Sequence, residues 1–459
     1  MSTETVSSLT QTCVQRTSAA LREAAQAGDR GGFVRVREAA ALEQAQAVDA
    51  QRAQGVHTGR LQGAPLAHKD MFFRTGELSE CGSRILAGHR AERTATVLQR
   101  FDAAGAIDLG ALHMAEFAMS PTGFNAHLGH GRNAWSQDHV SGGSSSGSGI
   151  AVALGLAAGA LGSDTGGSVR IPAAVNGVTG IKPTQHALSM QGVMPLSPSL
   201  DCIGVLGRTA RDVASMLQAI WPTDASDPQC AQIGARDFEG AIERPLTRHD
   251  IIAVPEFDDD TPASDEIRAA VSRVADALAG CGATIRKVEL PDLREAGALA
   301  TLVLGAEAGS IHSPWLRERR GEYGEQVLRR LERGLLYPAT RYVDALRLRT
   351  RYMTQFIERY LGGAQALLLP ALPYAVPTIE ETLVGDASEI ERKFGNFSYW
   401  TRGINYLGLP GLNVPAGRTG NGLPVGVQLV GRAWGEDRLL RLAHQLQAGT
   451  DWHLPSILP

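Results

Sequence analysis

Three short segments carry residue types that can do chemistry together. The first, Gly-Ala-Pro-Leu-Ala-His-Lys-Asp at 63–70, sets Lys69 at the end of an apolar run. A lysine buried there has its pKa lowered, because desolvation disfavours the ammonium, and a neutral lysine can take a proton from a hydroxyl. The second, Ser-Gly-Gly-Ser-Ser-Ser-Gly-Ser-Gly at 141–149, leads into an alanine-rich stretch. It has neither the lysine of a phosphate-binding loop nor GxGxxG spacing, so phosphate binding is set aside. The third, Gly-Ser-Asp-Thr-Gly-Gly-Ser-Val-Arg-Ile-Pro at 162–172, presents Ser168 on a tight glycine turn. Consecutive amides of Thr165, Gly166 and Gly167 can converge there on an oxyanion. Singly, these are a surface lysine, a helix-capping serine and a loop serine. Together they supply a nucleophile in Ser168, a proton relay in Ser144 and a terminal base in Lys69, with no histidine required. The serines are 24 positions apart, and Lys69 precedes Ser168 by 99.

These side chains need a scaffold, and the pattern predicts strands alternating with helices. Residues 94–104 read as a helix ended by Gly105, and 106–112 as a buried strand. An alanine-rich helix over 147–159 leads to a strand over 160–163. A strand at 251–254, a helix over 265–279 and a strand over 283–290 follow. Residues 318–360 are dense in Arg, Glu and Leu and read as long helices, while 366–370 and 423–430 read as further buried strands. Because the last of these returns late, one sheet is expected to draw on both halves of the chain. This alternation implies an α/β layer fold. Upstream, from about Leu9 to Gly55, the spacing of Phe33, Val36 and Ala40 predicts amphipathic helices. Residues 223–245 read as a surface excursion.

Composition narrows the function classes. Lys and Arg total 44 against 48 Asp and Glu, and the net charge of −4 gives no electrostatic reason to expect nucleic acid or an anionic membrane as partner. The five cysteines lie far apart with no CxxC pair, which argues against a zinc site or a disulfide framework. The histidines have no metal-ligand spacing such as HExxH, so no metal or other cofactor is expected. The N-terminus is polar and no apolar run reaches spanning length, so a cytoplasmic protein is expected.

The three segments, in this order and spacing, resemble the amidase signature family of serine hydrolases. The glycine- and serine-rich stretch at 142–148 and the loop at 162–172 match its signature. The likeness continues through Gly-Val-Thr-Gly-Ile-Lys-Pro-Thr at 177–184, Asn-Tyr-Leu-Gly-Leu-Pro at 405–410 and Gly-Leu-Pro-Val-Gly-Val-Gln-Leu-Val-Gly at 422–431. It covers about 61–449. The chain departs from the pattern at Ser146, at Ala134 and at His68, which is read as a packing residue beside the lysine.

The resemblance implies a single α/β/α amidase signature domain over 61–459, with a large, mixed, twisted central sheet. Residues 1–60 are expected to form a helical segment packed on this core. By position, Ser168 resembles the nucleophile, Ser144 the cis-peptide serine and Lys69 the base, with Thr165, Gly166 and Gly167 in the oxyanion loop. Asp164 and Arg170 read as an ion pair bracing that loop. Family pockets point to Met71, Met119 and Phe124 as substrate contacts, with Phe72, Trp315 and Tyr399 nearby; Arg349 and Arg402 read as surface arginines able to meet a carboxylate. The expected function is a stand-alone amidase that cleaves the C–N bond of a small-molecule amide, extending to carbamates, ureas or esters, through an acyl-enzyme on Ser168. Its expected partners are that small amide and a second copy of the chain, without nucleic acid or membrane. The alternative is the glutaminase-like component of a tRNA-dependent amidotransferase.

Overall fold

The structure, a computed structural model, describes residues 11–57 and 59–454 of the 459. Residues 1–10 of the polar N-terminus lie outside the described residues. Strands β1 (Phe33–Val36), β2 (Pro65–Lys69), β3 (Ile107–Leu112), β4 (Gly159–Ser163), β5 (Thr179–Lys182) and β6 (Ile203–Gly207) come from the first half of the chain. They are joined by β7 (Ile251–Pro255), β8 (Thr284–Val288), β9 (Ala366–Pro370), β10 (Gly411–Arg418) and β11 (Pro424–Gly431). All eleven form one mixed sheet in the order β1-β3-β2-β4-β6-β5-β10-β11-β9-β7-β8. The late hairpin β10–β11 is wedged between β5 and β9, so the sheet is indeed assembled from both halves. Strands β3, β4, β6, β9 and β11 are buried along their whole length. That is why they read as continuous apolar runs rather than as alternation.

Helices cover the sheet. Those that position the site are α1 (Cys13–Ala27), α2 (Glu38–Ala53), α3 (Thr96–Ala103), α4 (Ser146–Ala153) and α5 (Arg170–Asn176) from the first half. The second half gives α6 (Asp265–Gly280), α7 (Arg294–Glu318), α8 (Glu325–Leu335), α9 (Ala339–Phe356), α10 (Ala387–Phe397) and α11 (Tyr399–Leu407). The large α/β sheet covered by helices is the architecture the sequence led to.

Three local readings need correction. Phe33 and Val36 lie not on a helix but on β1, which pairs antiparallel with β3, and the helix starts only at Glu38. Gly32 turns the chain into that strand at φ 72°, and a Cβ there would meet the backbone of Gly147. Helix α4 stops at Ala153, before the turn at Leu154 and Gly155, well short of the expected 159. The 25-residue helix α7 escaped the reading altogether, because its buried positions lie on several faces and leave no clean apolar stripe.

Candidate active site

Parallel pairing of β2 with β3 and β4 places Lys69 at the carboxyl end of a central strand. Its side chain is completely buried, and the ammonium nitrogen donates to Ser144 Oγ at 2.6 Å and to Ser163 Oγ at 2.7 Å. Burial pulls its pKa down to about 7, against the partial opposition of Asp201 and Asp164. Side chains alternate along a strand, and the flanking residues turn to other partners. His68 Nδ1 meets Asp108 Oδ1 at 3.0 Å, and Asp70 pairs with Arg35. Asp108, buried among His68, Arg74 and Arg37, is held well below the usual carboxylate range despite its desolvation. His68 is therefore part of a buried ion-pair cluster and makes no contact with the lysine ammonium.

Ser144 follows a cis peptide bond from Gly143, just before α4. The serines after it hold this loop to β4: Ser145 Oγ donates to the Ser163 carbonyl at 3.3 Å and Ser148 Oγ to the Leu161 carbonyl at 2.9 Å. Ser168 lies in the turn between β4 and α5, next to the same loop, where its carbonyl accepts from the Ser145 amide at 3.3 Å. Gly167 has φ 123°, and a Cβ there would collide with Thr401 Oγ1. No residue with a side chain fits at that point.

Asp164 organises the turn. It accepts from the amides of Gly167 (2.8 Å), Val169 (3.2 Å) and Arg170 (3.4 Å). The Arg170 guanidinium pairs with it at 3.0 Å and also donates to Asn405 Oδ1 at 2.6 Å and Gln428 Oε1 at 2.9 Å. Arg170 and Asn405 hold the Asp164 carboxyl well below its ordinary pKa although it is fully buried. The Gly167 amide is thus engaged by Asp164. The amides of Thr165, Gly166 and Ser168 have no protein acceptor among the described residues. Thr165 Oγ1 donates at 2.6 Å to Asp201, whose pKa burial pushes up to about 6.

Ser168 opens onto a cavity of about 210 Å³ that is also lined by Thr165, Gly166, Met119, Arg330 and Arg402. Met71 and Phe124 do not line it. Met71 is buried in the main core, and Phe124 packs on the His130 ring at 4.8 Å. Trp315 stacks on Phe117, and Arg349 donates to the carbonyls of Ser199 and Tyr406. The sequence reading assigned no part to Ser163, Asp201, Asn405, Gln428 or Arg330. Ser163 stands inside the 162–172 segment, and Asn405 and Gln428 inside the two late motifs, which was the available signal; nothing in sequence set apart Asp201 or Arg330.

Comparison with known proteins bears on this geometry. Residues 15–440 match the family model described as Amidase. The chain is 36% identical over 444 residues to the A-type subunit of the Glutamyl-tRNA(Gln) amidotransferase of Ectopseudomonas mendocina, covering 92% of this chain and 90% of that one. Among solved structures, one described as an unexpected vestigial protein complex that reveals the evolutionary origins of an s-triazine catabolic enzyme superimposes with TM-score 0.88 at 30% identity, covering 97% of both chains. The A-type subunit of the Glutamyl-tRNA(Gln) amidotransferase of Thermotoga maritima superimposes with TM-score 0.77 at 29% identity, covering 94% of this chain and 90% of that one. The similarity to these amidotransferase subunits, near full length on both sides, overturns the expectation of a stand-alone amidase for small-molecule amides. The expected partners, a small amide and at most a second copy of the chain, are corrected with it: these relatives are by name one component of an enzyme acting on tRNA. No described helix is long and apolar enough to cross a membrane.

Proposed function

This chain belongs to the amidase signature family, and on that premise we propose that it is the glutaminase-like component of a tRNA-dependent amidotransferase. It releases ammonia from glutamine for a partner protein that amidates the acyl group on tRNA. The observation that carries the reading is the 36% identity to such components over 92% of the chain.

The buried geometry supports a specific cycle. Lys69, with its pKa near 7, is substantially neutral at physiological pH. It accepts the Ser144 hydroxyl proton while Ser144 takes the proton of Ser168, whose oxygen attacks the glutamine side-chain carbonyl. The free amides of Thr165, Gly166 and Ser168 are the donors best placed for the resulting oxyanion. One such donor contributes roughly 3–4 kcal/mol in other serine hydrolases. The lysine proton returns through Ser144 to the leaving nitrogen, the C–N bond breaks and ammonia departs. Water then attacks the acyl-enzyme, giving up one proton to the relay. Ser168 leaves as the alcohol, and glutamate is released.

The test is reconstitution. The full chain, combined with the other components of such a transferase, ATP and Glu-tRNA(Gln), should form Gln-tRNA(Gln) with glutamine as donor. Ser168→Ala should abolish that reaction and leave amidation from added ammonium intact. Absence of glutamine-dependent amidation in the complete mixture would refute the assignment.

A further inference from the structure

Two hydroxyls hold the Lys69 nitrogen, and the cycle above uses only one of them. Ser144 Oγ lies at 2.6 Å and Ser163 Oγ at 2.7 Å, and both serines are buried. Ser163 is the last residue of β4, where it pairs with Ile203 of β6. Its backbone is also fixed by the loop that carries Ser144. The Ser163 amide donates to Ser145 Oγ and the Ser163 carbonyl accepts from the same hydroxyl, both at 3.3 Å. Gly162 permits that approach, since a Cβ there would stand 2.8 Å from Ser145 Oγ. The strand bearing Ser163 and the loop bearing Ser144 are thus tied together, with the lysine nitrogen between their hydroxyls. Among the described residues Ser163 Oγ makes no other hydrogen bond.

A buried ammonium needs acceptors, and its direct ones here carry no charge. The titratable groups that act on Lys69 are Asp201, Asp164 and Cys81. None of them is a hydrogen-bond partner of the ammonium among the described residues. Asp201 is taken up by Thr165, and Asp164 by Arg170. The hydroxyls of Ser144 and Ser163 therefore supply the close contacts. An ammonium has three N–H donors; the neutral amine keeps two, with one lone pair. When Lys69 gives its proton to Ser144, the lone pair faces Ser144 and one N–H stays on Ser163 Oγ. That remaining bond resists rotation about Cε–Nζ, which would turn the lone pair away from the relay.

We propose that Ser163 is a positioning residue of the relay: its hydroxyl keeps the lysine lone pair on Ser144 and supports the ammonium that forms in each half of the cycle. The proposal deepens the reading of Ser168, Ser144 and Lys69 as the glutaminase machinery and rests on it. A hydrogen bond to the ammonium is stronger than one to the amine. Loss of the hydroxyl therefore favours the amine, so the lysine should titrate at lower pH.

The experiment compares the native full chain with Ser163→Ala and Ser163→Thr, in the complete reconstituted mixture, by glutamine-dependent turnover from about pH 5 to 9. In parallel, Lys69 is titrated directly by NMR of protein carrying 13C at lysine Cε. The chain has four lysines, at 69, 182, 287 and 393, so the signals are few and Lys69→Ala assigns the one of interest. Ser163→Ala should lower kcat about 10- to 100-fold with KM little changed, and should move the acid limb and the NMR midpoint down together by about one pH unit. Ser163→Thr, which keeps the hydroxyl, should restore most of both. Native kcat in Ser163→Ala, or a fall in kcat with neither midpoint moved, would overturn the proposal. If no chain cleaved glutamine while the NMR midpoint fell in Ser163→Ala and recovered in Ser163→Thr, the hold of Ser163 on Lys69 would stand and the glutaminase reading would fall.

Discussion

Arg170 and Arg402 both stand against the turn that carries Ser168, and the structure treats them in opposite ways. Arg170 is wholly buried, and its donors reach Asp164, Asn405, Gln428 and the Thr401 carbonyl. Arg402, one residue beyond that last acceptor, reaches no protein acceptor among the described residues. Around Arg170 the floor of the site is thus a closed network of paired charge and hydrogen bonds, whereas Arg402 on the wall above it is left open. A saturated arginine fixes geometry, whereas an unsaturated one is available to a ligand.

The largest predicted effects come from the floor, at the reacting atoms. Ser168→Ala and Lys69→Ala should each lower glutamine cleavage by at least about 10³-fold, measured as ammonia release. The native chain should also lose activity on the acid side. As pH falls through about 7 the Lys69 ammonium becomes the major form and the base is lost, whereas above that the rate should level off. A flat profile between pH 5 and 8 would remove Lys69 from the role of base.

Next come the groups that hold the turn. Asp164→Asn leaves Arg170 buried without its counter-charge and should cost about 3–5 kcal/mol of stability, read by denaturant unfolding. Because the folded pKa of Asp164 is depressed, its contribution is fully present above the unfolded value of about 3.9. It is lost as pH falls below that value, so the gap between native protein and variant should narrow only in acid. Gly167→Ala should abolish activity as well as destabilise, since the added methyl meets Thr401 at a φ reserved for glycine.

How much of this was legible in sequence follows the same division. Strands such as β3 and β9, and the segments carrying Lys69, Ser144 and Ser168, could be read because short apolar runs and glycine turns are local signals. The brace on Asp164 could be read only in part. Its pairing with Arg170 spans six residues, but Asn405 lies 241 positions from Asp164 and Gln428 lies 258 from Arg170, in contacts that no local period encodes. The cavity wall was the least legible region. Met71 and Phe124 were chosen as apolar neighbours of the motifs, yet the core takes up Met71 and the His130 ring takes up Phe124. Helix α7, which contributes Ala300 and Leu304, had no amphipathic stripe to announce it. Arg349 and Arg402 were indistinguishable in sequence, since each is an arginine on a helix, and only the acceptors around them separate the two.

That last pair gives the smallest and most discriminating prediction. Arg349 donates to the backbone carbonyls of Ser199, Tyr406 and Asn405. Arg349→Met should strand those buried acceptors and cost roughly 1–3 kcal/mol. Arg402→Met removes a cation that no protein group satisfies, so its unfolding free energy should stay within about 1 kcal/mol of native or rise. Equal losses in the two variants would mean that Arg402 is held by the protein after all, and the contrast between closed floor and open wall would not survive.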